Sequence, residues 1–195
     1  MKVYVVYCHP DPESFTSAVF QRTLTTLTAC GHDVRTSDLY ADEFEPTLSL
    51  QEWLDHRAPI SPPADIASYC ANLTWCEALV FVYPTWWSGQ PAMLNGWLDR
   101  VLVRGVAWDV TERATRVTGR LTNVRRIVAI TTHGSSKVLN TVQGESGKRV
   151  IARAVRVLCY QFARSTWLAM YNMDRSTVEQ RTAFLDRVER RIRRL

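Results

Sequence analysis

The segment from Leu79 to Val103, LVFVYPTWWSGQPAMLNGWLDRVLV, constrains the chain more than any other. It opens on an apolar run, Ala78 to Tyr83, of a length and composition that suit a strand buried on both faces. The run breaks at Pro84, passes two adjacent tryptophans, turns at Gly89 and restarts at Pro91. A helix tolerates proline at its first position, where the missing N–H has no partner to lose. Leu94, Trp97, Leu98, Val101 and Leu102 then recur at helical spacing and predict an amphipathic helix. In an open parallel sheet, a loop between such a strand and helix lies at the carboxyl end of the strand, where ligands bind.

The rest of the chain repeats this alternation. Lys2 to Cys8 reads as a first strand, and the two prolines that follow delay any helix until about Ser14. Phe20, Leu24 and Leu27 mark a helical face that stops at Gly31, and Asp33 to Tyr40 reads as a second strand. That is a parallel βαβ unit, with a right-handed crossover expected. Ala41 to Pro63 carries four prolines and no sustained period, and reads as a surface excursion, a lid or a dimer arm. Asp65 to Cys76 looks helical and feeds the third strand. Asp109 to Arg126 is a polar, basic loop of little periodicity, followed by a fourth strand, Ile127 to Thr132. Lys148 to Phe162 reads as helix and Thr166 to Met170 as a fifth strand. A capping box at Ser176 and Glu179 opens the last helix. Strands alternating with helices give an α/β, doubly wound, five-stranded parallel sheet of order 2-1-3-4-5 with helices on both faces. Residues 1–195 are expected to form a single domain.

Composition narrows the function. The net charge is +5, much of it in Arg187 to Arg194, which reads as a solvated helix face without interleaved aromatics, so no nucleic-acid role is expected. Five cysteines with no C-x-x-C argue against a disulfide framework or a zinc site, and no metal is expected. Cys8 and Cys159 read as small buried hydrophobes. With no leader pattern and no long apolar run, the expectation is a cytoplasmic protein without a membrane span.

The sheet order brings the loops after strands one, three and four, HPDPESFT, PTWWSGQP and THGSS, to one crevice. Ser14, Phe15 and Thr16 stand at a helix start, where free N–H groups and the helix dipole attract an anion; Ser14 serves equally well as a plain helix cap. His9 adds a possible donor. Trp86 and Trp87 suit a planar ring, and suit a subunit interface as well. Thr132, His133, Gly134 and Ser135 supply donors to the far edge, although His133 also reads as an ordinary surface histidine.

These segments carry a resemblance. With H-x(4)-S-F after strand one, SDLYADEFEP (Ser37 to Pro46), YPTWWSGQPAMLNGWLDRVL (Tyr83 to Leu102) and TTHGS (Thr131 to Ser135), the chain resembles the flavodoxin-like NAD(P)H:quinone oxidoreductases, which include bacterial quinone reductases and azoreductases. The resemblance spans nearly the whole chain and is most specific in the third segment. It implies a flavin, FMN or FAD, with NAD(P)H as electron donor, a quinone or related aromatic acceptor, and two successive hydride transfers. It assigns His9, Ser14, Phe15 and Thr16 to the phosphate-bearing tail; Pro84, Thr85, Trp86, Trp87 and Ser88 to the isoalloxazine ring; and Thr131, Thr132, His133 and Gly134 to its pyrimidine side. It implies a homodimer with residues from both chains at each site.

Two departures stand out. The family's T-T-G-G reads T-T-H-G here, and a side chain at that position could narrow the site or hydrogen-bond the ring. His133 is the candidate catalytic residue, with a loop N–H as the alternative donor near flavin N1 and O2 and solvent as the alternative proton source. The tyrosine and histidine that assist proton movement in animal members have no counterpart in SSKVLNTVQGESGK. Arg57, Arg104 and Lys137 are candidate partners for an NADPH 2′-phosphate. The rival readings are a flavodoxin-type electron carrier and a regulatory dimer resembling the ancillary subunits of potassium-efflux systems. The basic charge and the proline-rich first loop count against the carrier, while T-T-H-G and the missing pair keep the regulatory reading open.

Overall fold

The computed structural model describes residues 1–55, 61–110 and 116–195. The chain runs β1 (Lys2–Tyr7), α1 (Phe15–Ala29), β2 (Asp33–Asp38), α2 (Leu50–Asp55), α3 (Ala67–Trp75), β3 (Ala78–Thr85) and α4 (Ala92–Val101). It continues through β4 (Trp108–Val110), β5 (Val117–Gly119), β6 (Arg126–His133), α5 (Lys137–Val142), α6 (Ser146–Arg149), β7 (Arg164–Met170) and α7 (Val178–Ile192). Five strands form a parallel sheet of order β2-β1-β3-β6-β7. This is the expected 2-1-3-4-5 order, with β6 and β7 as its fourth and fifth strands.

Strand alternation builds a core on each face. Val3, Val5 and Tyr7 of β1 join Val80, Val82, Val128 and Ile130 under α1 and α7. Tyr4, Val6, Phe81 and Tyr83 face the other way, toward α3 and α4. From α4, Leu94, Trp97, Leu98 and Val101 are buried as the helical spacing requires, while Leu102 is half-buried at the cap. Trp97 packs edge-on to Phe81 at 5.8 Å. Full burial of each such aliphatic or aromatic side chain stabilises the fold by roughly 1.5–3 kcal/mol, which pins α4 and the loop before it to the sheet.

Four features differ from the sequence reading. The helix expected over Lys148 to Phe162 starts at Ser146, passes through a π-helical turn at Val150–Val155, and has ended by Leu158. There the chain turns to pair with the preceding loop: Leu121 N–H donates to the Leu158 carbonyl at 2.9 Å, and Gly119 lies too close to the Leu158 backbone for any side chain. The loop over 109–126 contains the second arm of a small hairpin, β4 with β5. The capping box of α7 uses Thr177 and Gln180, one residue later than expected, because the Ser176 hydroxyl is taken by the Met173 carbonyl at 2.6 Å. Finally, the described part of the 41–63 excursion is clamped to the body. The Pro46 backbone fills the space a Cβ on Gly96 would occupy. Arg100, buried beneath it, binds Glu52 at 2.6 Å, Asp65 at 2.5 Å and the Glu45 carbonyl at 2.5 Å.

Candidate active site

The carboxyl ends of β1, β3 and β6 open into a crevice of about 460 Å³. The β1–α1 loop supplies His9, Ser14, Phe15 and Thr16 to it. Ser14 is the N-cap of α1, its Oγ accepting from Ser17 N–H at 3.1 Å, so the capping role is realised. That leaves the Phe15 and Thr16 amides, which have no intrahelical partner, at the positive end of a 15-residue helix. Thr16 is buried and its Oγ1 lies 3.2 Å from Thr132 Oγ1, which ties the first loop to the third. His9 Nδ1 lies 3.0 Å from the Asp11 amide and 3.1 Å from the Asp11 carbonyl, which fixes the ring against its own loop.

The β3–α4 loop forms a tight turn. Trp86 and Gly89 exchange backbone hydrogen bonds at 3.1 and 3.0 Å, with Trp87 at φ +49° and Ser88 at φ +63° between them. Both central residues are left-handed, the geometry of a type I′ turn, which normally selects glycine or asparagine. A left-handed non-glycine residue costs of order 1–3 kcal/mol and persists only where its surroundings hold it. Here Ser88 Oγ donates to Gln143 Oε1 at 2.6 Å, and Ser146 Oγ donates to the Ser88 carbonyl. The strain has a visible product: Trp87 stands fully exposed at the crevice mouth, with Trp86 partly exposed beside it.

The third loop divides its residues. Thr132, Gly134 and Ser135 line the crevice, whereas Thr131 and His133 do not. His133 is 5% exposed, and its ring stacks on Tyr171 with centroids 4.7 Å apart. Its Nδ1 lies 2.8 Å from Asn140 Oδ1. Asn140 Nδ2 donates to Ser135 Oγ and to the Ser136 carbonyl, both at 2.8 Å, so the network assigns Oδ1 as the acceptor and the proton to His133 Nδ1. Nε2 of the neutral ring then faces Thr85 Oγ1 at 3.4 Å. Burial pushes the His133 pKa below its ordinary value, against the opposing pull of Asn140 and Glu145. Thr131 likewise serves the wall, its Oγ1 2.8 Å from that of Thr85.

Of the thirteen residues singled out from sequence, eleven meet at the crevice and two stand behind it. Sequence reasoning missed Leu139, Asn140, Gln143, Met173 and Asp174 as further lining residues. The last two follow β7, whose carboxyl end adjoins that of β6; the strand order itself was the signal. Arg104 pairs with Asp109 at 3.0 Å, Lys137 is exposed at the start of α5, and Arg57 lies outside the described residues. The five cysteines are free; burial pushes the thiols of Cys8, Cys70, Cys76 and Cys159 up to about 12, so they are inert core groups. Among the described residues no cluster of metal-ligating side chains occurs and no helix is long and apolar enough to cross a membrane.

A flavin fits this donor set. The α1 amides offer a seat for a phosphate, the tryptophan turn offers an aromatic wall, and the remaining lining groups are mostly neutral donors and acceptors. A Cβ on Gly134 would meet the end of the exposed Asp174 side chain, and without one the third loop presents bare backbone there. The chain belongs to the family described as flavodoxin-like fold, whose profile matches residues 1–194.

Proteins with oxidoreductase names are among those it resembles. The chain is similar to the ribosyldihydronicotinamide dehydrogenase-like protein traD of Penicillium crustosum, 29% identical over 168 residues that cover 75% of this chain and 62% of that protein. It therefore spans a little under two thirds of that relative's length. Among solved structures it is similar to Smu.1420 from Streptococcus mutans UA159, at 28% identity and a TM-score of 0.89 over 100% of both chains. It is also similar to the NAD(P)H:quinone oxidoreductase from Methanothermobacter marburgensis, at 26% identity and a TM-score of 0.84 over 99% of this chain and 98% of that one.

Proposed function

We propose that the protein is a flavin-dependent NAD(P)H oxidoreductase that reduces quinones or similar aromatic acceptors, acting as a single domain of residues 1–195. The observation that carries this reading is the meeting of three loops in one crevice, with free helix amides at one end and the Trp86–Gly89 turn at the other. The names of its full-length structural relative and of the traD protein point the same way.

In this reading Ser14 fixes the first turn of α1, so the Phe15 and Thr16 amides hold the phosphate of FMN or FAD, with His9 as a further donor. Pro84 to Ser88 wall the ring, and the bare backbone at Gly134 lets the third loop approach its polar edge. A flavin held by these residues would supply the hydride chemistry between NAD(P)H and the acceptor. His133 acts as a positioning residue. It holds Asn140 and Thr85, which both line the crevice, from behind. Its neutral Nε2 faces the Thr85 hydroxyl at 3.4 Å, where it can accept from it.

Trp86, Trp87 and Leu139 line the crevice and are exposed, and Val138 and Val142, on the same helix α5 as Leu139, are exposed too. A contiguous apolar patch beside a polar site marks an interaction surface, which supports a homodimer whose second copy covers the mouth. Free cysteines throughout suit a reducing cytoplasm. The test is spectroscopic: reconstitute the protein with FMN or FAD, add NADPH or NADH without oxygen, then add benzoquinone. The reading expects the visible flavin band to bleach and return. A bound flavin that neither donor reduces would leave a carrier or a regulatory dimer in its place.

A further inference from the structure

At the opposite end of the sheet from the crevice, a second cavity of about 550 Å³ opens between the first residues of β6 and β7 and the last turn of α7. Arg126, Arg164, Arg191 and Arg194 line it, and no carboxylate side chain does. Arg191 and Arg194 have a structural reason to be there, since a helix C-terminus favours cations, and Arg191 Nη2 donates to Thr166 Oγ1 at 2.9 Å. Arg126 and Arg164 have none. They are direct partners in the β6–β7 register, and like charges facing each other on paired strands destabilise the pair.

The nearby carboxylates of α7 do not relieve this. Glu189 is taken by Arg22 at 3.1 Å and Arg193 at 2.9 Å, and Asp186 by Arg22 at 3.3 Å. Among the described residues neither Arg126 nor Arg164 forms an ion pair. Four arginines therefore line a recess of ligand size, and among the described residues no acidic side chain lines it with them. A β-strand rises about 3.3 Å per residue, so the length of β6 separates this recess from the crevice, and the two are distinct sites.

We propose that this recess binds a small polyphosphate, a ligand with two or more linked phosphate groups. The planar guanidinium fork matches phosphate oxygens in pairs, and a polyanion relieves the Arg126–Arg164 repulsion that the fold leaves standing. A single phosphate offers fewer oxygens and less charge to four arginines than linked phosphates do. The site is independent of the redox reading and stands or falls separately from it.

The probe is inorganic tripolyphosphate, titrated calorimetrically into full-length protein whose crevice is saturated with FMN, at about 0.15 M salt, where exposed charges are well screened. The expected result is saturable one-to-one binding that raises the melting temperature, with inorganic phosphate much weaker. Arg126→Ala/Arg164→Ala is expected to bind at least about tenfold more weakly, the loss of one or more charge-assisted contacts. It should also melt higher than the parent without ligand, because the repulsion is gone. Arg194→Ala, at the exposed helix end, gives an independent check and should weaken binding while lowering the parent melting temperature by no more than about 4 °C, the contribution of one helix-end cation. No binding at millimolar tripolyphosphate would overturn the proposal. So would equal binding by the double variant, or tighter binding of a single-stranded DNA oligonucleotide than of tripolyphosphate.

Discussion

Replacing His133 with alanine removes more than a side chain from a loop. The imidazole is almost fully buried, and its Nδ1–H satisfies Asn140 Oδ1, whose amide nitrogen is already committed to Ser135 and Ser136. Without the ring, that oxygen is left buried and unpartnered, a loss of about 1–3 kcal/mol. The stack on Tyr171 contributes a further ~0.5–1.5 kcal/mol. The sum, about 2–4 kcal/mol, corresponds in a chain of this size to a fall in melting temperature of roughly 5–15 °C.

The loss carries a pH signature. Burial holds the folded His133 pKa below the ordinary value of about 6.5. The unfolded chain therefore binds that proton more readily, and the stability attached to the neutral ring is full above about pH 6.5 and declines as pH falls through that value toward the folded pKa. His32, lowered chiefly by burial and also by the amino terminus, titrates in the same direction, so the informative quantity is the difference between parent and variant. Denaturant melts from about pH 7.5 to about 5.5 should show the parent's advantage shrinking as His133 protonates in the unfolded chain. A difference below about 0.5 kcal/mol, the ordinary range of surface changes, or one that does not vary with pH, refutes the reasoning.

Gly134→Ala places a Cβ where the Asp174 carboxylate lies, and since Asp174 is exposed it can swing away. Stability should stay within about 0.5 kcal/mol while flavin binding weakens by about tenfold or more, measured by fluorescence titration. Gly96→Ala drives a Cβ into the Pro46 backbone, which has no such freedom, and should destabilise by about 1–3 kcal/mol in chemical melts despite the better helix former. Arg100→Ala leaves the largely buried Glu52 carboxylate without its cation, still held by Ser49 N–H, and should lower stability by about 1–3 kcal/mol. Burial alone would raise the Glu52 pKa, but hydrogen bonds from Ser49 and Arg100 outweigh it and hold it low, so this contribution is full above the ordinary carboxylate value of about 4.3 and fades in acid.

Much of this architecture was legible because its signals are local. The apolar run at Ala78–Tyr83 and the helical spacing from Leu94 to Val101 read directly, and strand order followed from the alternation of elements. The crevice was legible to the extent that strand ends determine it. What escaped depends on contacts between distant segments. Whether Lys148 to Phe162 continues as helix is decided by Leu121 pairing with Leu158, which no local pattern records. The side-chain direction of His133 is set by strand parity: Thr132 points into the crevice, so its neighbours Thr131 and His133 point behind it. The clamp of Arg100 on Glu52 and Asp65 unites residues 48 and 35 positions apart, and turns an apparent free excursion into a fixed wall.

The central claim is that the start of α1 holds the phosphate of a flavin whose ring lies against the tryptophan turn. Titration of the protein with FMN and with riboflavin, following flavin and tryptophan fluorescence, tests it directly. Ser14→Asp provides the contrast, because aspartate caps a helix as well as serine does but sets a carboxylate beside the phosphate seat. The account predicts saturable FMN binding with quenching of Trp86 and Trp87, weakened at least about tenfold in Ser14→Asp, with riboflavin unaffected by the substitution. FMN that fails to bind, or binds parent and Ser14→Asp alike, contradicts it.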